Sequence, residues 1–250
     1  MFWLGVQSAN GAQAAGVMVQ AIWPSYANVE NHLPASAAIT SQGMISYFLF
    51  FCLQLPLLLI HPTKLRWLFI AKLIAAPVTA LATLGWCVHR AGGAGDIFNT
   101  PATVHGSARA WLWLSCMTSV TGSWSTMACN IPDFSRYSKS TKAQFIQFPF
   151  VPLVFTVGSA MGVITTSASY VIYGEYIWNP IELISRWLSM GHGGRAAAFF
   201  AAASWLLAQI GSNITANSIS AANDMTVSSL SAPARTPTDR DHDRYFSLAT

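Results

Sequence analysis

The polar residues within the apolar stretches of this chain are mainly amides, and they occur beside tryptophan. Trp3, Gln7 and Asn10 follow one another at helical spacing, so a helix places all three on one face. An indole stacks on flat rings, and a carboxamide both donates and accepts hydrogen bonds. This face suits an uncharged, planar, hydrogen-bonding solute. The alternative is a tryptophan at the membrane interface above amides that only pack between helices.

A second set of amides recurs every four residues near the end of the last apolar stretch, at Gln209, Asn213 and Asn217. The neighbouring face of the same predicted helix carries small and hydroxyl residues, namely Ala208, Gly211, Ser212 and Thr215. Hard cations prefer oxygen ligands, so the second face is a candidate ion site while the amides face the solute. Plain helix packing is the alternative, because small residues at this spacing let membrane helices approach closely.

A third segment, TGSWSTMACNIPDFSRY at residues 121–137, predicts irregular backbone. Gly122 and Ser123 are poor helix formers and stand beside Trp124, which predicts an interruption of the helix inside the membrane. Such an interruption is tolerated only where the backbone lines a cavity enclosed by protein. Pro132 predicts the end of this helix, because it disfavours helical backbone in the residue before it.

The sequence shows no set of residues typical of a catalytic site or a metal site. The six histidines lie in loops, at the edges of apolar stretches or in the tail, and no Asp or Glu lies in the middle of a stretch. There is no HExxH motif and, within the apolar stretches, no pair of carboxylates for acid–base catalysis. The sequence therefore predicts no enzyme, no metal site and no cofactor.

The elements that must position these residues are membrane helices. Only 9% of the residues are charged and 53% are hydrophobic, whereas soluble domains are about 25% charged. A soluble enzyme and a nucleic-acid binder are thereby excluded, and the lipid bilayer is the expected surrounding. Stretches of about 20 apolar residues can span a bilayer. Six are predicted, at about 2–23, 40–60, 67–88, 110–131, 146–173 and 195–219. We expect an all-α integral membrane region over 1–226 and a disordered cytoplasmic tail over 227–250.

The distribution of Lys and Arg between loops predicts the orientation. Eight cations fall on one side, at Lys64, Arg66, Arg136, Lys139, Lys142, Arg235, Arg240 and Arg244. Four fall on the other, at Arg90, Arg109, Arg186 and Arg195. The positive-inside rule then places both termini in the cytoplasm. Lys72 lies inside the third stretch, where it either extends to the nearby interface or is a buried functional lysine.

Four motifs in order carry a family resemblance: WLGVQ at 3–7, HPTKLRWLFIAK at 61–72, GSWSTMACNIPDFSRY at 122–137 and GSNITANSISAANDM at 211–225. Together they resemble the nucleobase-cation-symport family one, within the purine and cytosine permease superfamily. The fungal uracil, allantoin and uric acid permeases are the most similar branch. The resemblance implies a partial five-plus-five inverted-repeat transporter fold, with the six stretches as the third to eighth of twelve helices.

The resemblance also implies roles for individual residues in substrate binding. Trp3 and Trp124 would stack on the two faces of a planar ring. Gln7 would hydrogen-bond the edge of the ring, and Asn217 would do so from the eighth helix. Ser123 stands where relatives often have a glycine that offers a backbone contact. The substrate would be a neutral nucleobase or a hydantoin-like compound such as uracil, allantoin or uric acid.

By the same resemblance Ala208, Gly211 and Ser212 fall at cation-site positions. Sodium-dependent relatives carry hydroxyls at the last two of these positions, whereas here only Ser212 does, which favours proton over sodium coupling.

The expected function is therefore symport by alternating access, in the plasma membrane. Helices one and two and those after the eighth have no counterpart in the 250 residues. A truncated, non-transporting remnant or a membrane scaffold of the same family is the alternative. A homo-oligomer is left open.

Overall fold

The chain folds entirely into helices and loops across the residues that its computed structural model describes, 2–60, 62–135, 140–218, 220–221 and 225. The all-α class is confirmed. Six long helices and one short one follow in order: α1 (Phe2–Ile22), α2 (Ser41–Leu58), α3 (Arg66–Ala91), α4 (Gly106–Ser135), α5 (Gln147–Tyr173), α6 (Pro180–Ser185) and α7 (Gly191–Ser212). The six long helices occupy the same parts of the chain as the six apolar stretches, and α7 continues as a π-helix over Asn213–Ser218.

Within the described residues, four helical segments are long and apolar enough to cross a membrane. They are Ala35–Leu58, Arg66–Ala91, Gln147–Tyr173 and Gly191–Ser218. Each backbone N–H and C=O in hydrocarbon needs a partner within the protein, and a continuous helix supplies these partners internally.

The core of the molecule lies where α1 packs between α2 and α7. Small residues line this contact: Ala12, Ala14 and Ala15 on α1, and Ala198, Ala201 and Ala202 on α7. Gly11 lies so close to α2 that a Cβ atom there would overlap the ring of Phe50, which is itself only 1% exposed. Small side chains bring the three backbones together, as is usual between membrane helices.

A second contact joins α3 to α5 and α7. The short helix α6 closes it at one end with Leu183 and Ile184, which are both fully buried. The rings of Trp86 on α3 and Trp187, just after α6, meet edge to face with centroids 5.0 Å apart. Helix α6 has no counterpart among the predicted spans, because six residues are too few to give a hydropathy signal.

The predicted interruption at Gly122 and Ser123 is wrong. Helix α4 runs without a break through both residues and past Pro132 to Ser135. Poor helix formers cost about 0.5 to 1 kcal/mol each, whereas backbone groups left unpaired in hydrocarbon cost several kcal/mol each. Every α4 side chain that the structure describes is exposed, so the described side chains show no enclosed cavity that could supply partners for a broken backbone.

Candidate functional site

A buried network of amide and hydroxyl groups joins α1, α2 and the π-helical turn after α7. Asn213 is fully buried, and its Nδ2 donates to Oε1 of Gln54 at 2.8 Å and to Oγ of Ser8 at 3.1 Å. Nδ2 of Asn217 donates to Oδ1 of Asn213 at 2.8 Å. We call Ser8, Gln54, Asn213 and Asn217 the amide cluster. A buried amide without partners costs several kcal/mol, so these bonds fix how the three helices meet.

The π-helical turn supplies two members of the amide cluster. Its hydroxyl side chains bond to backbone carbonyls, since Oγ1 of Thr215 donates to the carbonyl oxygen of Gly211 at 2.8 Å and Oγ of Ser218 to that of Asn213 at 2.9 Å. A π turn changes which side chains share a face, and such turns are frequent at functional sites. Here it begins at the buried Asn213.

Two of the predicted substrate residues lie on helices that the structure brings together. Gln7 is partly exposed on α1, next to the cluster residue Ser8, and Asn217 is partly exposed on the π-helical turn. Helix α1 packs along that turn as well as along α7. Trp3 lies at the start of α1 and is 37% exposed. A ligand could therefore reach all three side chains from the same end of α1.

The other two predicted substrate residues lie on α4. The side chains of Ser123 and Trp124 are outside the described part of the structure, although the helix backbone passes through them. Within the described residues, α4 packs extensively on none of the other helices. The predicted roles of Ser123 and Trp124 in substrate binding therefore lie outside the described side chains and stay predictions.

The third amide of the predicted stripe, Gln209, does not join the cluster. Its Oε1 atom is buried and has no hydrogen-bond partner among the described residues. The cluster residues that the sequence reasoning missed are Ser8 and Gln54. Gln54 could have been identified from the sequence, because a lone amide in an apolar stretch is by default a functional or packing contact. Ser8 carried no such signal beyond its place beside Gln7.

Two of the three predicted cation positions, Gly211 and Ser212, lie against Lys72. Ala208 and Gly211 are buried, and Ser212 accepts a hydrogen bond of 3.1 Å from Nζ of Lys72. A Cβ atom at Gly211 would lie 2.5 Å from Cδ of Lys72, so the absence of a side chain there lets the lysine cross α7. Lys72 thus bonds to a residue of α7 within the protein, and its position relative to the membrane interface stays a prediction.

Comparison with known proteins assigns the family. Residues 1–230 match the model of the family described as "Permease for cytosine/purines, uracil, thiamine, allantoin", and the chain belongs to this family. It is a membrane protein, with the family and the four apolar segments in agreement. No solved structure matches it.

The curated relatives are longer than this chain. An uncharacterized permease of Schizosaccharomyces pombe is 35% identical over 225 residues, which are 90% of this chain and 40% of that protein. The uracil permease of Saccharomyces cerevisiae is 32% identical and its allantoin permease 29% identical, each matching 90% of this chain and 36% of its own length. The chain therefore spans about two fifths of the length of these relatives.

Proposed function

We propose that this chain binds an uncharged, planar nucleobase or hydantoin-like compound and carries it by proton-coupled symport. It would act as a permease and not as an enzyme, and it would work by alternating access. It would lie in the plasma membrane with both termini in the cytoplasm. The observation that carries the proposal is the amide cluster, which holds Asn217 in a fixed orientation beside α1. Relatives named as uracil and allantoin permeases support this class of substrate.

The orientation of Asn217 suits the hydrogen-bonding edge of such a ring. Its Nδ2 donates to Asn213, and Oδ1, for which the described residues show no donor, can accept from a ring N–H. Gln7 would bond the same edge from α1, and Trp3 would stack on one face of the ring. Each interhelical hydrogen bond in a membrane is worth about 0.6 kcal/mol and each aromatic stack about 0.5 to 1.5 kcal/mol. Contacts this weak give useful affinity only in a preorganised site, and the amide cluster supplies the preorganisation.

Proton coupling is supported by the position of Lys72. An ammonium group at Ser212 puts a positive charge at the candidate cation positions Gly211 and Ser212. A sodium ion in the same place would face a like charge a few ångströms away, in a medium that screens it poorly. A proton carried by Lys72 itself avoids this repulsion. We therefore propose Lys72 as the group that holds the coupling proton and Ser212 as its partner.

Uptake measurements test the proposal. The 250-residue chain would be produced in cells that lack their own nucleobase and allantoin permeases, with radiolabelled uracil and allantoin outside. We expect saturable uptake of one of them that stops when the proton gradient is collapsed and persists when sodium is replaced. Asn217→Ala should abolish it, whereas the matched control Asn99→Ala, an exposed loop amide, should leave it unchanged. Saturable uptake that depends on sodium would contradict the proton coupling.

A non-transporting remnant is the second candidate, and one observation favours it. Helix α4 is exposed at every side chain described, and within the described residues no other helix packs extensively along it. Binding without uptake would support this candidate. Such a result would be seen as uracil or allantoin bound by the purified chain and lost in Asn217→Ala, with no saturable transport.

A further inference from the structure

A cavity of about 690 Å³ lies between α3, α5 and α7, separate from the amide cluster. Its walls are mainly apolar side chains of α3 and α5, and Trp178, Leu183 and Trp205 also line it. None of Ser8, Gln54, Asn213 or Asn217 lines it. Trp205, which lines the cavity, lies about 12 Å along the helix axis from Asn213 of the amide cluster. Small-molecule sites have this size and this mixture of apolar walls with a few polar groups.

Two buried polar atoms in the cavity wall lack partners in the described part of the chain. Thr83 is 4% exposed and its Oγ1 makes no hydrogen bond, and neither does Nε1 of Trp205. Threonines elsewhere in these helices bond to their own backbone, as Thr118 does to the carbonyl oxygen of Leu114 at 2.9 Å. Thr83 makes no such bond to the backbone of its own helix. A buried polar atom left without a partner costs about 1 to 3 kcal/mol, so this pair favours a ligand that satisfies both.

Two glycines of α5 give the cavity its width. Gly158 and Gly162 both line it, and a Cβ atom built at either meets nothing within 4 Å. Larger side chains would fit without steric overlap, but they would occupy space inside the cavity. The cavity is therefore open to a flat molecule and can be filled by a single substitution.

We infer that this cavity is a second solute site, for an uncharged, flat and largely apolar heterocycle with one ring N–H and one ring nitrogen acceptor. The ring N–H donates to Oγ1 of Thr83, and Nε1–H of Trp205 donates to the ring nitrogen. The apolar walls on α3 and α5 cover the faces of the rings. This site does not depend on the proposed transport function, because its residues are distinct from the amide cluster.

Benzimidazole is the probe, because it has two fused rings, one N–H and one acceptor nitrogen. Equilibrium binding of radiolabelled benzimidazole would be measured on the full chain in phosphatidylcholine nanodiscs. We expect saturable binding that indene, the hydrocarbon of the same shape, displaces at least ten times more weakly. Thr83→Val and Trp205→Phe each remove one hydrogen bond and should weaken binding about three- to tenfold. Thr118→Val is the control and should change nothing, because Thr118 bonds only to its own helix.

Filling the cavity is an independent test. Gly158→Leu should abolish benzimidazole binding, whereas Gly85→Leu, at a glycine with equally open surroundings that does not line the cavity, should leave it intact. Circular dichroism would check that both variants remain folded. If indene competes as well as benzimidazole and Thr83→Val has no effect, the cavity only holds lipid hydrocarbon and the inference is overturned. It is equally overturned if Asn217→Ala abolishes binding, because the probe then lies at the amide cluster.

Discussion

Two regions of this molecule use polar side chains in opposite ways. In the layer formed by α1, α2 and α7, amides bond from one helix to another, as Asn213 does to Gln54 and to Ser8. In α4 the hydroxyls bond to their own backbone, as Thr118 does to Leu114 and Thr121 to Met117. The first pattern fixes helices against each other. The second satisfies these two hydroxyls locally, without a bond to another helix.

The difference shows which part of the chain can be a preformed site. Gly11 and Gly16 on α1 lie against Phe50 and Ser46 of α2, so the backbones approach closely where the amide cluster forms. Gly122 on α4 has nothing within 4 Å of the place where a Cβ atom would be. Glycine on α1 is thus a packing requirement, whereas on α4 it is not. A binding site that depends on exact placement belongs to the first region.

The largest expected effect comes from adding one methyl group in each region. Gly11→Ala should destabilise the chain by about 1 to 3 kcal/mol, because the new Cβ overlaps the ring of Phe50 in a closely packed contact. Gly122→Ala should have the opposite sign and stabilise α4 by up to about 1 kcal/mol, since alanine is the better helix former. Unfolding of the purified variants in mixed detergent micelles measures both. Equal effects at the two positions would remove the distinction between the regions.

The next effect, smaller than the contrast between the two glycine variants, is expected from the central amide. Asn213→Leu leaves Oε1 of Gln54 without its donor and Nδ2 of Asn217 without its acceptor, which should cost about 1 to 3 kcal/mol. The double variant Asn213→Leu with Gln54→Leu should recover part of this loss, because replacing both partners leaves fewer unsatisfied groups. Thr121→Val on α4 is the control and should lie within about 0.5 kcal/mol of the parent. The same unfolding assay applies, and a double variant less stable than the single one would contradict the network.

The sequence is sufficient to predict the helical class and the stretches that the long helices occupy. Hydropathy carries that information, because the membrane demands continuous apolar helices. Residue spacing also predicts which side chains share the face that bears Gln7. It does not predict which helix that face contacts, because spacing describes one helix at a time. The partnership of Asn213 with Gln54 joins residues 159 positions apart, and only the folded chain brings them together.

Two features of the site needed the structure for a further reason. The π-helical turn that begins at Asn213 contains the hydroxyl bonds of Thr215 and Ser218, and the intrinsic helix preferences of the residues do not encode such a turn. The wrong prediction for α4 arose from reading Gly122 and Ser123 as a break. Local propensity was outweighed there by the need to pair every backbone group in hydrocarbon.

The smallest expected effect concerns the bond between Lys72 and Ser212, which tests whether the close-packed region extends to α3. Lys72→Met keeps the apolar contact with Gly211 and removes the ammonium group, and Ser212→Ala removes the acceptor. A double-mutant cycle should give a coupling free energy of about 0.5 to 1.5 kcal/mol, the usual net value of one hydrogen bond. Pairing Lys72→Met with Thr121→Val should give a coupling near zero, because Thr121 bonds within α4. Additive losses for Lys72 and Ser212 would mean that the lysine is not held at the candidate cation positions. The case for proton coupling would then lose its structural support, while the amide cluster and its role in substrate binding would stand unchanged.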